Sequence, residues 1–215
     1  MICLFGGTFD PVHVGHVHAA RSVCDALGLA EIRLVLSARP GHRGETGASV
    51  ADRWVMLELA CAEDPRLIPD AIEVRRAQAL GRPSYTVETL QEVRRAAPAE
   101  VLAWVVGSDA YREIPTWYRW QDLFELANLV VLHRPGAPLD LPDELAALTE
   151  ARRVSGPPEQ PAGGVLILDL PMLPVSATAI RRALAEGDPS VADLLSPAVY
   201  TYIKRYHLYG VVSDP

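Results

Sequence analysis

Gly6-Gly7-Thr8-Phe9-Asp10-Pro11-Val12-His13-Val14-Gly15-His16 is the stretch from which the rest of this chain can be read. The apolar run at 2–5 ahead of it has the length and composition of a buried strand. Behind it, residues 15–27 place Val17, Ala20, Val23, Cys24 and Leu27 at helical spacing on one face. A strand, a glycine-bearing loop and a helix start turn backbone N–H groups and the positive end of a helix dipole toward an anion. His13 and His16 flank that helix start, and Gly15 between them removes a side chain at the point of closest approach. The arrangement suits a polyphosphate, with imidazole donors stabilising charge that develops on a transferred phosphoryl centre. Asp10-Pro11 reads as a turn opener rather than a catalytic pair, and His18 as a helix-surface residue.

Strand and helix patterns then alternate to the end of the chain. Ile32–Leu36, 101–106, 129–133 and 165–168 read as strands, with a further one at 71–74. Helices are expected from the Ser49 cap to about Glu63, with Asp52 as capping-box partner, and over Thr86–Ala96. Others are expected at 121–126, 142–153, 176–185 and 197–206, the last with Ser196 as cap and Pro197 at its first position. This order implies an α/β fold, a Rossmann-like doubly wound parallel sheet finished by C-terminal helices. Such sheets bind ligands beyond the carboxyl ends of their strands, where the candidate site residues fall. Residues 134–164, rich in Pro and Gly around one helix, read as a surface excursion within a single domain spanning 1–215.

Bulk composition narrows the partners. The 215 residues are 49% hydrophobic and 22% charged, ordinary for a globular chain with a sizeable core. A net charge of −7 argues against a broad basic face for nucleic acid, so any anion site is local. Cys3, Cys24 and Cys61 show no Cys-x-x-Cys pairing, which leaves a disulfide framework or zinc site without support. No basic leader precedes the first apolar run and no stretch is long enough to span a bilayer, so a cytoplasmic protein without membrane partners is expected. Nothing in the sequence specifies an oligomeric state.

Three further segments carry candidate chemistry. The loop from Ser37 to Gly44 gathers Arg39, His42 and Arg43 among glycines. It is either a solvated connector or a second phosphate contact, and its place at a strand end favours the contact. Gly41, Gly44 and Gly47 would let it close over a bound nucleotide. Ser176-Ala177-Thr178-Ala179-Ile180-Arg181 is a helix start with hydroxyls at its cap; capping alone explains Ser176, and a second anion-binding helix mouth explains it equally. Trp117 follows a strand-end loop, where a stacking platform for a flat heterocycle competes with plain helix packing. Packing is the expectation for Trp120.

Taken together, the opening stretch, Pro83-Ser84-Tyr85-Thr86, Gly107-Ser108-Asp109 with Trp117, His133-Arg134-Pro135-Gly136, Val175-Ser176-Ala177-Thr178-x-Ile180-Arg181 and the ending Val199-x-x-Tyr202-Ile203 through Leu208-Tyr209 resemble bacterial nicotinate-nucleotide adenylyltransferases. The opening alone marks the wider nucleotidyltransferase superfamily; Ser84-Tyr85-Thr86 with Trp117 narrows it. The resemblance implies that ATP and nicotinate mononucleotide give deamido-NAD and pyrophosphate, with Mg²⁺ carried in on ATP and no metal site of the protein's own. It implies that His13, His16 and Arg43 act at the reacting phosphate. It puts ATP against Gly6, Gly7, Thr8, Phe9, Gly15, His42, Gly107, Asp109, Ser176, Thr178, Ile180 and Arg181. Tyr85, Thr86, Trp117 and Tyr118 would hold the nicotinate, with Trp117 stacking and Thr86 taking the carboxylate, and Arg134 would approach the mononucleotide phosphate.

One departure stands out: the family usually has Pro-His-Lys where this chain has Gly41-His42-Arg43. Lys204 is the only lysine in the sequence, so Arg43 reads as compositional drift that keeps the charge while changing its geometry. The attacking phosphate has a second pKa of about 6 and is already an oxyanion near neutrality, which fits the lack of a general base in the motif. Rival expectations are an adenylyltransferase for phosphopantetheine or for nicotinamide mononucleotide, and a nucleotide-sensing module without turnover. The phosphopantetheine family usually carries Thr at the place of His13 and lacks the Ser-Tyr-Thr and Trp117 features.

Overall fold

The computed structural model describes residues 1–38 and 46–211. Strands β1 (Ile2–Gly7), β2 (Ile32–Leu36), β3 (Leu67–Asp70), β4 (Leu102–Gly107), β5 (Asn128–His133), β6 (Arg153–Val154) and β7 (Val165–Asp169) form one sheet. Their order is β3-β2-β1-β4-β5-β7-β6, and every pairing is parallel. The order reverses direction between β1 and β4, whose Phe5 and Val105 are register partners. That reversal opens a crevice above the carboxyl ends of β1 and β4, the position where doubly wound sheets take ligands.

Helices cover both faces because the strands alternate. Cys3, Phe5, Ala103, Val105, Val130 and Leu132 point to one side, where they pack with α1 (Val14–Leu27), α2 (Val50–Cys61), α8 (Ala177–Glu186) and α9 (Pro197–Arg205). Leu4, Leu102, Trp104, Val106, Leu129 and Val131 point to the other, against α4 (Thr86–Ala96), α6 (Leu123–Leu126) and α7 (Asp143–Ala151). Between these, α3 (Ile72–Leu80) and α5 (Ser108–Arg112) complete the set of α-helices among the described residues. Val87, Leu90 and Val93 of α4 are buried as their spacing requires. Ser49 caps α2, its hydroxyl accepting from the Asp52 N–H at 3.1 Å and donating to the Asp52 carboxylate at 2.6 Å.

The expected strand at 71–74 is a helix start instead. Asp70 accepts the Ile72 N–H on Oδ1 at 2.9 Å, which stops β3 and opens α3, so the β-branched Ile72 and Val74 lie on a helix. The strand itself is Leu67–Asp70, read past because Pro69 interrupts it; β3 is an edge strand, where a missing N–H is tolerated. Within the excursion, the helix expected at 142–153 is α7 and stops at Ala151, because Arg153 and Val154 form the two-residue β6, which pairs with β7. Among the described residues no helix is long and apolar enough to cross a membrane.

Candidate functional site

A cleft of about 720 Å³ lies over the carboxyl ends of β1 and β4. Its first wall is the loop from β1 to α1. Gly6 and Gly7 are there for packing within the protein. A Cβ on Gly6 would lie 2.2 Å from the Trp104 ring, and one on Gly7 would lie 2.6 Å from the Phe9 ring. Phe9 adopts φ 46°, an unfavourable backbone for a side-chain-bearing residue, and its buried ring meets His16 edge-on at 5.0 Å. The His13 and His16 rings stack at 3.7 Å, and the His13 backbone N–H donates to Nδ1 of His16 at 3.3 Å. Gly15 has a role the sequence did not disclose: a Cβ there would come within 3.1 Å of the His13 imidazole, so its absence seats that ring over the helix start.

His13 is buried, and its Nδ1 has no hydrogen-bond partner among the described residues although it lines the cleft. Burial lowers its pKa to about 4, which leaves a neutral imidazole near pH 7. A buried ring nitrogen without a partner at a helix start marks a place where a polar atom of a ligand could be met.

The second wall is the start of α8. Ser176 Oγ accepts the Ala179 N–H at 3.2 Å, so capping accounts for its hydroxyl. Thr178 and Arg181 line the cleft, with Arg181 Nη2 donating to Thr178 Oγ1 at 3.3 Å. Ile180 is a correction to the expected ATP contacts. Its side chain is fully buried in the core under α8 and its N–H donates to the Ser176 carbonyl, so it does not line the cleft. His18 is likewise more than a surface residue: Nε2 sits 2.8 Å from the Pro171 carbonyl and ties α1 to the segment that leads into α8.

Across the cleft, Gly107 ends β4 where a Cβ would meet nothing within 4 Å, and Asp109 stands exposed on the first turn of α5. Trp117, half-buried, shares this wall with Tyr85, Thr86, Tyr118 and Arg134. The Tyr85 and Tyr118 rings lie 4.7 Å apart. Thr86 begins α4, so the first-turn N–H groups of that helix border the cleft. Trp120, by contrast, is core, edge-on to Phe124 at 6.1 Å. His42 and Arg43, together with the rest of 39–45 and the expected closure of that loop, lie outside the described residues.

Sequence reasoning missed a set of buried supports beneath the cleft. Arg53 on α2, fully buried, donates through Nη1 to the carbonyls of Thr8 and Ser37 at 2.8 Å each and through Nη2 to that of Ala38 at 3.0 Å. It fastens the loops after β1 and β2 to each other. Glu73 on α3 also lines the cleft, accepting from Thr89 Oγ1 at 2.9 Å; burial raises its pKa. Asp10 forms the expected turn but is itself buried, and its carboxylate gathers several donors. The available signals were a charged residue at an inward helix position for Arg53 and an Asp inside the opening motif.

The wider relationship is consistent with this geometry. A family model described as cytidylyltransferase-like matches residues 4–183. A probable nicotinate-nucleotide adenylyltransferase of Chromobacterium violaceum is 45% identical over 210 residues, covering 96% of this chain and 97% of the relative. The corresponding protein of Dechloromonas aromatica is 43% identical over 213 residues, covering 96% of each. The chain belongs to the nicotinate-nucleotide adenylyltransferase family. A nicotinate-nucleotide adenylyltransferase is a nucleotidyltransferase enzyme of NAD biosynthesis, and the strand-end cleft is where the fold would bring its nucleotides together. The nicotinic acid mononucleotide adenylyltransferase of Plasmodium falciparum, solved complexed with NaAD, has the same fold at a TM-score of 0.76 and 16% identity, covering 98% of both chains.

Proposed function

We propose that the cleft holds ATP over the start of α1 and nicotinate mononucleotide against Trp117 and the start of α4. An oxygen of the mononucleotide phosphate attacks the α-phosphorus of ATP in line. The new P–O bond gives deamido-NAD, and the bond to the bridging oxygen breaks with its electron pair leaving on pyrophosphate. The observation that carries this reading is the buried, unpartnered Nδ1 of His13, stacked on His16 at the helix mouth above the sheet reversal. No proton needs removing from an attacking group that is already ionised. Catalysis then consists of aligning two anions and offsetting their repulsion, the task of His13, His16, Arg181 and the N–H groups at the starts of α1 and α8.

Thr86 and the first N–H groups of α4 offer donors to the nicotinate carboxylate, and Trp117 offers a flat face to the pyridine ring. Arg134 and Asp109 complete the mononucleotide and ATP sides respectively. Among the described residues no three His, Cys, Asp or Glu side chains converge into a metal site. Mg²⁺ would then come in on ATP, with phosphate oxygens and water as its ligands. When bound, the ion neutralises charge on the departing pyrophosphate. The enzyme is read as cytoplasmic, with ATP and nicotinate mononucleotide as its partners.

A product assay with ATP and a panel of acceptors tests the proposal. Pyrophosphate release is expected with the acid mononucleotide, well above that with the amide form or phosphopantetheine. Equal rates with the acid and amide forms would remove the carboxylate assignment, and ATP binding without pyrophosphate release would favour a sensing module.

A further inference from the structure

Tyr209 lies in the last turn of the described chain, Leu208–Gly210, and does not line the cleft. Its backbone is at φ 58° and that of His207 at φ 51°, both in the left-handed region that side-chain-bearing residues disfavour. This conformation turns the phenol inward onto a single carboxylate: the Tyr209 hydroxyl donates to Asp10 Oδ1 at 2.8 Å. The same oxygen accepts the Ala48 N–H at 3.1 Å, and Oδ2 accepts the Gly47 N–H at 2.7 Å. Arg181 Nη1 donates to the Asp10 carbonyl at 2.7 Å and stands 3.7 Å from Oδ2. The ring packs so closely that a Cβ on Gly47 would fall 2.9 Å from Tyr209 Cε1 and equally near Arg181 Cδ. Asp10, Thr46 and Arg181 line the cleft.

We infer that Tyr209 is a positioning residue for the adenylyl donor, acting through Asp10 to hold Arg181 and the Gly47–Ala48 turn beside the triphosphate. The inference rests on ATP occupying the cleft as proposed above. The physical argument is one of charge balance. With the phenol in place, each Asp10 oxygen is satisfied without Arg181, whose Nη1 stays on the carbonyl. Without it, Oδ1 keeps only the Ala48 N–H among the described donors, and a buried, under-satisfied carboxylate attracts the guanidinium that stands beside it. Arg181 is then drawn off the position from which it meets phosphate. Burial and the neighbouring carboxylate push the phenol pKa well up, so it remains a donor across the working pH range.

Tyr209→Phe keeps the ring against Gly47 and removes only the hydroxyl. The expected result is a rise in KM for ATP of about five- to tenfold, with KM for nicotinate mononucleotide within about twofold of wild type and little change in Tm. In an Asp10→Asn background the same substitution should add almost nothing, because the carboxylate through which it acts is gone. An unchanged KM for ATP in Tyr209→Phe, an equal rise in both KM values that tracks a fall in Tm, or an undiminished effect in the Asp10→Asn background would each overturn the inference. Should Asp10→Asn fail to fold, the KM split of Tyr209→Phe together with its calorimetric ATP affinity decides the matter. A folded wild-type protein that neither binds nor turns over ATP would overturn the underlying assignment. An active wild type with an indifferent Tyr209→Phe overturns only the role of Tyr209.

Discussion

His13 sits buried with its pKa lowered to about 4, whereas the unfolded chain titrates near 6.5. The unfolded state therefore binds a proton in the interval where the folded state does not. Stability from this group is present above about pH 6.5 and is lost as pH falls toward 4, visible as a falling Tm in a pH series with His13→Asn as control. Triphosphate bound as proposed would reverse the preference, since a nearby anion favours imidazolium. ATP binding below about pH 6.5 should take up protons, read by calorimetry in buffers of different ionisation enthalpy. His16 stacks on His13 and meets Phe9 edge-on, so it is held in place before substrate arrives. His16→Ala should reduce turnover by about 10²–10³ with the fold retained, as for loss of one preorganised donor. Near-normal turnover in single-turnover measurements would remove it from the chemistry.

Helix starts do most of the arranging at the scale of elements. The starts of α1, α4 and α8 all border one cleft, so under the proposed reading three positive helix-dipole ends would face a substrate with several negative charges. Trp117 shares one wall of that cleft with the α4 mouth. Its replacement by Ala should weaken nicotinate mononucleotide by about 1–3 kcal/mol, the usual worth of a ring stacked on a base, while KM for ATP stays near wild type. A matching loss for both substrates in steady-state kinetics would point to collapse of the wall instead. Elements with clean periodicity were legible in advance. Thr86–Ala96 appears with its expected bounds because Val87, Leu90 and Val93 fix one face. β3 and α3 were not, since Pro69 breaks the first pattern and a local Asp70 bond outweighs the β-branched side chains of the second. α5, with five residues, is too short to show a period at all.

Across the whole molecule, the sheet separates support from chemistry. At the amino ends of the strands, Asn128 Nδ2 donates to the carbonyls of Leu102 at 3.1 Å and Gln160 at 2.9 Å, and its Oδ1 accepts the Gly164 N–H at 2.8 Å. This side chain pins the excursion to the edge opposite the cleft. Asn128→Ala should lower stability by about 1–3 kcal/mol in a denaturant titration while leaving both KM values unchanged, because buried partners lose their bonds far from substrate. The motif residues that line the cleft were readable because each belongs to a pattern that is local in sequence. The Asp10, Arg53, Arg181 and Tyr209 network was not, because it joins positions from 8 to 209 and only the fold makes them neighbours.

The same division has a practical side for handling the protein. The Met1 amine lies 3.7 Å from Glu100, at the edge remote from the cleft, while Tyr209 packs against Asp10 beside it. A purification tag or fluorescent fusion joined ahead of Met1 emerges where nothing catalytic is disturbed. A truncation or graft that replaced Tyr209 would remove the phenol that donates to Asp10, and material prepared that way would be expected to report a weakened nucleotide site as though it were native.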